Sequence, residues 1–446
     1  MKVAVIGAGW AGCTAAVEAT RLGHGVTLFE AARTPGGRAR RVDVTAALPP
    51  GPSASLALDN GQHILIGAYA ETFRLMADLG VDANASLLRL PLTLQYPDGS
   101  GLKLPASRWL PAPLDAFVGI LSAQGWSAGD KLSLLRAALG WQLKGFRCEA
   151  GQSVADLCKG ISTGAMAQLI EPLCVSALNT PAQRASAQVF LRVMHDALFS
   201  TSGGSNLLLP RVDLGALLPD AALAWLHAHG GAIRLGTRVQ GLHRTGPAWQ
   251  LTLPLAAGPA EVFDHIVLAC PPGDAARLVE SSGLPAADWL AKARGLHHEA
   301  LTTVYAHAPD ARLRQPLLAL EPTLSAPAQF VFDRGQLGGP AGLLAFVISA
   351  SDGEGALLTA QVLAQATAQL GLTLLPVQTI VEKRATFSCT PGLQRPGMAV
   401  GEPARPGGGL MACGDYIDGP YPATLEGAVR SGLAAARTIG RPPESL

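Results

Sequence analysis

The chain has 446 residues, more than one simple hydrophobic core accommodates, so two or three structural units are expected. A formal net charge of +1 gives no general electrostatic basis for binding nucleic acid, and no basic run carries the interleaved aromatic residues of such a site. The seven cysteines are scattered, without a CxxC pair, which excludes a plausible disulfide framework and favours a reducing compartment. The ten histidines form no HxxxH or HExxH pattern, so no metal site is expected.

Apolar residues make up 48% of the chain and charged residues 15%. No uninterrupted apolar stretch reaches the roughly 20 residues that span a bilayer. The chain begins directly with a predicted strand, so we expect no signal peptide and a cytoplasmic location. The high aliphatic content favours an apolar ligand or a patch that contacts the inner face of the cytoplasmic membrane.

The first 41 residues predict one strand–helix–strand unit. A β-branched run at residues 3–6 predicts a buried parallel strand, and GAGWAG follows at residues 7–12. This G-x-G-x-x-G opens a predicted helix over residues 11–22, which Gly23 ends. A second strand at residues 26–29 then delivers Glu30 at its carboxyl end, the arrangement of a dinucleotide-binding unit.

Each glycine of this unit has a physical role. Gly7 permits the tight turn, Gly9 keeps side-chain atoms away from a diphosphate, and Gly12 lets the helix pack closely on the strand. The diphosphate would lie at the helix N-terminus, and the Glu30 carboxylate would accept hydrogen bonds from both hydroxyls of the adenosine ribose. The residues expected to contact the dinucleotide here are Gly7, Gly9, Trp10, Ala11, Gly12, Glu30 and Ala31.

A second glycine pair, Gly36 and Gly37, follows the acidic residue and precedes Arg38. This loop can approach the diphosphate, and Arg38 can supply charge-assisted hydrogen bonds to it. Simple NAD-binding domains lack such a loop.

Taken together, GxGxxG, the acidic strand end and G-G-R resemble the signature of FAD-dependent amine oxidases and phytoene desaturases. The resemblance implies bound FAD and an α/β (α+β overall) fold, with a Rossmann-like, glutathione-reductase-type FAD-binding domain. It also implies an inserted substrate domain of helices and β-sheet. We expect the FAD-binding domain to comprise residues 1–95, 204–275 and 396–446, and the substrate-binding domain residues 96–203 and 276–395.

A Pro/Gly/Ala-rich segment at residues 45–55 predicts a solvent loop. The segment LDNGQH that follows resembles the D-x-G-x-x segment that lies along the flavin ring in these families, which implies contacts from Asn60, Gly61 and Gln62. His63 then becomes a candidate for chemistry. The alternative for the segment is an ordinary turn, and for His63 a strand-end histidine.

Residues 69–79 predict a helix, and residues 87–96 and 102–104 predict a hairpin closed by PDGS. Helices are predicted over residues 114–122, 130–146, 154–158, 164–178 and 187–198. In this helical region Phe117, Trp126, Trp141 and Phe146 occur with Lys131, Arg136, Lys144 and Arg147. Such a combination is found in helices that dock on a membrane surface, and more often in helices that pack on a core.

Strands are predicted again at residues 232–235, 237–243, 249–253 and 265–270. The resemblance implies that the strand around Val239 lies beside the first strand and that the Val239 backbone meets the adenine. A substrate-domain sheet is predicted from residues 301–306, 329–332, 342–350 and 377–387, covered by a helix at 354–370.

The last motif is a strand at residues 411–413 that delivers Gly414 and Asp415, then a loop and a helix that begins near Ala423 and Thr424. Gly414 allows close approach of the backbone, and Asp415 can accept from the ribityl chain or hold a water on the diphosphate. The helix N-terminus would face the flavin N1/O2 edge, where negative charge develops on reduction.

Four segments, NGQHILIGAY, EPLCVSALNT, LLLPRVDLGALLP and GDYIDGPYPATLEGAVRSG, resemble the hydroxysqualene dehydroxylases of bacterial hopanoid pathways. The resemblance implies reductive removal of the hydroxyl of an apolar C30 isoprenoid alcohol to give squalene. We expect a reduced nicotinamide as the electron donor. The leaving hydroxyl needs a general acid in a dry pocket. Candidates are His63, Glu171, Tyr416 and Tyr421, and no spacing argument chooses among them.

Three alternatives stay open at this point. A carotenoid desaturase would remove hydrogen from a polyene precursor. A flavin amine oxidase would oxidise an amine framed by two aromatic rings, which Tyr416 and Tyr421 could imitate. A non-enzymatic protein would use FAD as a structural element while presenting a lipid.

Overall fold

The structure is a computed structural model, and it describes residues 1–49, 51, 53–105, 112–200, 202–254, 261–401 and 409–440. Two sheets organise the fold: a parallel sheet built from distant parts of the chain and an antiparallel sheet from its second half. A candidate site lies between them.

The described strands of the parallel sheet are β1 (Lys2–Ile6), β2 (Gly25–Phe29), β10 (Ala232–Arg234), β14 (His265–Leu268) and β20 (Leu410–Ala412). Their order across the sheet is β10-β2-β1-β14-β20. The inner strands β1 and β14 are almost continuously apolar, as expected for strands covered on both faces. Segments 232–234 and 410–412 therefore join a sheet that the first 29 residues begin.

Two helices pack on this sheet, α1 (Trp10–Arg21) and α11 (Pro219–Ala228), and a third, α15 (Leu425–Thr438), packs on α1. The α1–α15 crossing is close, because a Cβ at Gly432 would lie 2.3 Å from the Ala11 carbonyl oxygen. The last described helix is thereby fixed against the first one.

The antiparallel sheet has the order β16-β17-β18-β15-β19. Its strands are β15 (His298–His307), β16 (Leu317–Ala319), β17 (Phe330–Asp333), β18 (Leu343–Ser349) and β19 (Leu375–Phe387), and α14 (Gly355–Leu370) packs on β15 and β19. The predicted strands of this sheet and the helix that covers it are confirmed.

The remaining elements surround the two sheets. Two short sheets are hairpins: β3 (Arg41–Ala47) pairs with β4 (Ser53–Asp59), and β7 (Thr93–Gln95) pairs with β8 (Gly101–Lys103). Two others have three strands. In one, β9 (Leu207–Pro210) lies between β5 (Leu65–Ile66) and β6 (Leu87–Leu90), and in the other β12 (Ala248–Thr252) lies between β11 (Gly241–Thr245) and β13 (Val262–Phe263). The other α-helices are α2 (Ala70–Asp78), α3 (Ala83–Ser86), α4 (Leu114–Ser122), α5 (Ala128–Leu143), α6 (Val154–Leu157), α7 (Thr163–Ala165), α8 (Glu171–Leu178), α9 (Ala187–Met194), α10 (Leu214–Leu217), α12 (Pro272–Ser281) and α13 (Ala287–Arg294).

Three predicted elements are wrong. The segment predicted as a loop at 45–55 belongs largely to the β3–β4 hairpin, although residues 50 and 52 lie outside the described part. The strand predicted over 87–96 is two strands: β6 pairs with β9, and only β7 forms the hairpin with β8. Val239 precedes β11 and does not lie on a strand beside β1, whose neighbours are β2 and β14.

Two predicted helices are correct in place but are not regular. Met166–Ile170 and His195–Ser200 are π-helical, so each contains wider turns than an α-helix. No helix within the described ranges combines the length and apolar character needed to cross a bilayer.

Candidate cofactor and active site

A cavity of about 910 Å³ runs between the two sheets. One end is bounded by the β1–α1 turn, the loop at residues 34–40 and the N-terminal end of α15. The other end is bounded by α8, the segment at residues 193–198 and the inner face of the antiparallel sheet. The cavity therefore joins segments that are hundreds of residues apart in the sequence.

The glycines of the β1–α1 turn divide into two kinds. A Cβ at Gly12 would lie 1.8 Å from the Gly7 carbonyl oxygen, and a Cβ at Gly7 would lie 2.4 Å from the Ala269 carbonyl oxygen. Both glycines are thus required by the packing of the chain itself. A Cβ at Gly9 would meet only Gly37 Cα, at 3.9 Å, and Gly9 borders the cavity. The open space at Gly9 fits a cofactor diphosphate that needs close approach to the backbone.

The Glu30 carboxylate is held at the carboxyl end of β2. It accepts hydrogen bonds from the Ala8 and Ala32 backbone N–H groups, at 2.7 and 2.8 Å. These bonds fix an anionic group at the end of the cavity where the adenosine ribose would bind.

Arg38 connects three parts of the chain at the cavity wall. Its guanidinium pairs with Asp415, which follows β20, and donates to the Ala385 carbonyl on β19 at 2.8 Å. The Asn60 amide donates to the Arg38 carbonyl at 3.1 Å and to the Glu382 carboxylate at 2.9 Å. The cation–anion pair lies where Arg38 and Asp415 would contact the diphosphate and ribityl parts of FAD.

The N-terminal end of α15 also borders the cavity. Thr424 caps the helix, with its hydroxyl accepting from Gly427 N–H at 3.0 Å, and Ala423 has φ of 57°, which an L-residue adopts only under constraint. Glu426 is fully buried and accepts from the Thr72 N–H and hydroxyl on α2, at 2.9 and 2.7 Å. The helix end is thus anchored in a position to direct its dipole at a flavin.

Most of the predicted cofactor residues meet at this cavity. Its walls include Gly7, Gly9, Trp10, Ala11, Glu30, Ala31, Gly36, Gly37, Arg38, Gln62, Val239, Gly414, Asp415, Ala423 and Thr424. Gly12, Asn60 and Gly61 lie behind the wall, where Gly12 supports the α1 packing and Asn60 supports Arg38.

Three of the four candidate acids reach the cavity: His63, Tyr416 and Tyr421. His63 Nδ1 lies 2.6 Å from the Gly61 carbonyl oxygen, and burial lowers the pKa of the His63 imidazole. Tyr416 is 2% exposed, its hydroxyl has no hydrogen-bond partner among the described residues, and burial raises its pKa.

Glu171 is not brought to the cavity. Its carboxylate oxygens both lie 3.3 Å from the Ala182 N–H, the donor of this contact, and burial raises the pKa of the carboxyl group. This local contact accounts for its position at the start of α8.

The far end of the cavity has a largely aliphatic and aromatic wall. It is formed by Ile64, Leu92, Leu173, Val175, Val193, Met194, Leu198, Leu301, Phe330, Phe332 and Val347. A ligand with extended hydrocarbon chains could remove its apolar surface from water there.

One charged group in this wall was missed by the sequence analysis. Asp196 lies on the π-helical turn and borders the cavity together with Tyr421. The spacing of Arg192 and Asp196, i and i+4 on a helix, was the available signal, but such pairs are usually surface features.

The family of flavin containing amine oxidoreductases matches residues 10–440. The chain belongs to this family. Its cofactor is FAD and it is an FAD-dependent oxidoreductase.

Single proteins similar to this chain include hydroxysqualene dehydroxylase of Rhodopseudomonas palustris, which is 29% identical to it, with 98% of each chain covered. The protein of the same name from Sinorhizobium fredii is 25% identical, over 98% of this chain and 97% of that one. In fold, the chain is similar to an oxidoreductase from Methanosarcina mazei, with a TM-score of 0.71 at 16% identity over 98% of this chain and 100% of the other.

Proposed function

We propose that the protein removes the hydroxyl group of hydroxysqualene reductively, giving squalene for hopanoid synthesis. The observation that carries this proposal is the continuity of one cavity from the glycine-rich cofactor end to the apolar end between α8 and the antiparallel sheet. Similarity to two hydroxysqualene dehydroxylases over nearly the whole chain supports the choice of a C30 isoprenoid alcohol.

When bound, reduced FAD supplies a hydride to the carbon that loses the hydroxyl. The chain has two tasks of its own. The apolar wall excludes water from the reacting carbon, and a side chain at the cavity donates the proton with which the hydroxyl leaves as water. Each turnover consumes two electrons, and a reduced nicotinamide is the donor that we propose.

A helical hairpin with exposed apolar side chains supports the further proposal that the protein docks on an anionic bilayer, where an apolar substrate dissolves. The outer face of this hairpin consists of exposed Leu114, Val118, Leu121, Leu132, Leu139 and Leu143 on α4 and α5. Basic residues accompany these leucines: Lys131, Arg136, Lys144 and Arg147. Apolar side chains next to basic ones are suited to the interface of an anionic membrane.

The hairpin is also close to the cavity. Phe117 on α4 and Phe146 after α5 both contact the Phe199 ring, at centroid distances of 6.4 and 4.8 Å. Phe199 belongs to the π-helical turn whose neighbouring residues, Ala197 and Leu198, border the cavity. A substrate leaving the bilayer would have a short route to the apolar end.

An anaerobic experiment with the FAD-loaded protein tests the reaction. The reduced protein is mixed with hydroxysqualene, and the oxidised protein is mixed with phytoene or simple amines, while flavin absorbance is followed. We expect hydroxysqualene to reoxidise the reduced flavin with formation of squalene, and phytoene and amines to leave the oxidised flavin unchanged. Reduction by phytoene would indicate a desaturase, and reduction by an amine would indicate an amine oxidase. A flavin that responds to none of them would exclude all three reactions.

A further inference from the structure

One buried carboxylate, Asp196, lies in the largely apolar end of the cavity. It is 9% exposed, and its two oxygens are held by Arg192 Nε at 2.6 Å and by His195 Nδ1 at 2.7 Å. It lies on the π-helical turn His195–Ser200. π-Helical turns occur frequently at functional sites because the wider turn re-aims a side chain.

Tyr421 meets Asp196 from the loop that precedes α15. Tyr421 and Asp196 border the same cavity, and burial together with the neighbouring Asp196 carboxylate raises the pKa of the Tyr421 phenol. Two guanidinium groups face the Tyr421 ring, Arg430 at 4.7 Å and Arg192 at 5.6 Å from its centroid. Arg430 is held in turn by Glu426, at 2.6 Å.

This arrangement has the parts of a proton donor. A phenol that gives up its proton becomes an anion, and the two guanidinium groups would stabilise that anion. His195 contacts Asp196 and has 43% of its side chain exposed, so it links the buried carboxylate to solvent. A hydrocarbon ligand cannot form hydrogen bonds with Asp196 or Tyr421, whereas the hydroxyl group of an alcohol can both donate and accept a hydrogen bond.

We propose that Asp196 and Tyr421 form the binding site for the hydroxyl of an allylic prenyl alcohol, with Tyr421 as its proton donor and Asp196 as the positioning residue. The substrate O–H donates to the carboxylate, and the phenol O–H donates to the substrate oxygen. This inference rests on the proposed reductive dehydroxylation and names the acid within it.

The step balances as follows. The carbon–oxygen bond breaks, its electron pair leaves with the oxygen, and the Tyr421 proton completes a water molecule. The carbon receives the hydride that reduced FAD supplies. Tyr421 regains its proton from solvent through His195 and Asp196.

The test uses FAD-loaded protein and the variants Tyr421→Phe and Asp196→Asn, with Tyr96→Phe as a matched control. Tyr96 donates to the Gln168 carbonyl at 3.3 Å and does not border the cavity. In the prereduced protein, we expect Tyr421→Phe to slow reoxidation by hydroxysqualene by at least about 100-fold, the usual effect of losing a general acid. Tyr96→Phe should react at the wild-type rate.

A second measurement does not depend on turnover. Oxidised protein is titrated with hydroxysqualene and with squalene, and binding is followed by the perturbation of the flavin spectrum. We expect wild-type protein to prefer the alcohol by about tenfold or more, because only the alcohol can form hydrogen bonds with Asp196 and Tyr421. Asp196→Asn and Tyr421→Phe should each lose most of this preference.

The outcomes separate this inference from the proposed reaction. Wild-type turnover in Tyr421→Phe, with slow turnover in Tyr416→Phe, would overturn the assignment of the acid to Tyr421. Equal binding of alcohol and hydrocarbon by wild-type protein would overturn the hydroxyl site. A clear preference for the alcohol without flavin reoxidation would support the hydroxyl site while excluding the proposed reaction.

Discussion

Gly9 and Gly12 show that identical residues in one motif are constrained by different neighbours. Gly12 has no space for a methyl group because the Gly7 carbonyl oxygen would be 1.8 Å away, whereas a methyl group at Gly9 would meet only Gly37 Cα at 3.9 Å. Gly9 also has φ of −73°, which alanine adopts readily. The protein alone therefore has room for a side chain at Gly9, and only the bound cofactor would exclude one.

This difference predicts opposite effects of two alanine substitutions. Gly9→Ala should fold with nearly wild-type stability but bind FAD at least about tenfold more weakly, because its methyl group enters the space of the diphosphate. Gly12→Ala should lower the free energy of unfolding of the apoprotein by about 1–3 kcal/mol through overpacking. Thermal unfolding and FAD titration of both apoproteins check this. Equal FAD affinity in Gly9→Ala and wild type would contradict a diphosphate at this turn.

Asp59 gives a pH dependence at a single residue. Its side chain is buried, one oxygen accepts from Leu214 N–H at 2.8 Å, and the other has no partner among the described residues. Burial raises the carboxyl pKa from 3.8 to about 6, against the opposing effect of Arg334. The folded state therefore holds its proton more tightly than the unfolded state, and the resulting stability is lost as the pH rises through about 6.

Asp59→Asn should remove this dependence while keeping an oxygen for Leu214. Relative to the variant, wild-type protein should lose up to about 3 kcal/mol between about pH 4 and pH 6. Denaturant unfolding of both proteins across this range measures the difference. Curves that stay parallel throughout would show that Asp59 ionises as easily in the folded state as in the unfolded one.

At the scale of elements, local signals decided what could be predicted. The first strand–helix–strand unit was predicted within one or two residues, because a β-branched run, a glycine turn and a helix-ending glycine all lie close together in the sequence. The β3–β4 hairpin was predicted as a loop because Pro, Gly and Ala dominate the residues around its turn. Its two strands pair only with each other. Val239 was placed by analogy on a strand, and pairing partners of a strand cannot be read from its own composition.

The π-helical turns explain why the site was only partly foreseen. An α-helical pattern places residues at 100° intervals, and a π-turn adds a residue and rotates everything after it by about that angle. Asp196 lies on such a turn, so periodicity did not mark it as facing a cavity. Tyr421 was foreseen because it belongs to a motif, and its partners Arg192 and Arg430 were not, since they come from two different helices.

The α4–α5 hairpin allows a test of membrane docking at this scale. Leu132→Asp combined with Leu143→Asp should reduce cosedimentation with vesicles containing anionic phosphatidylglycerol by about tenfold or more, because two aliphatic side chains no longer enter the interface. Leu357→Asp on α14 is the matched control, as Leu357 is as exposed as Leu132, at 57% each. The control should bind like wild type. A double variant that still cosediments fully would exclude the hairpin as the docking surface.

For the whole molecule, the cavity connects parts of the chain that the sequence separates most widely. Gly9 follows β1, Asp415 follows β20, and Thr386 lies near the end of β19, yet all three border one cavity. The cofactor motifs near both ends of the chain were recognisable in the sequence. The position of the middle of the chain relative to these motifs was not, because it depends on how the two sheets pack together. A ligand that contacts all these parts stabilises only their assembled form.

Removing FAD should therefore destabilise the protein as a unit. At a free FAD concentration a thousand times its dissociation constant, binding adds about 4 kcal/mol to the free energy of unfolding. Calorimetry of apoprotein and FAD-loaded protein should show a higher transition temperature with FAD, and added FAD should give Gly9→Ala a much smaller increase at the same concentration. Tryptophan fluorescence should follow the same transition in the loaded protein, because Trp10 beside the cofactor end and Trp289 on α13 then unfold together. Transition temperatures that are identical with and without FAD would mean that the cofactor does not hold the two ends of the chain together.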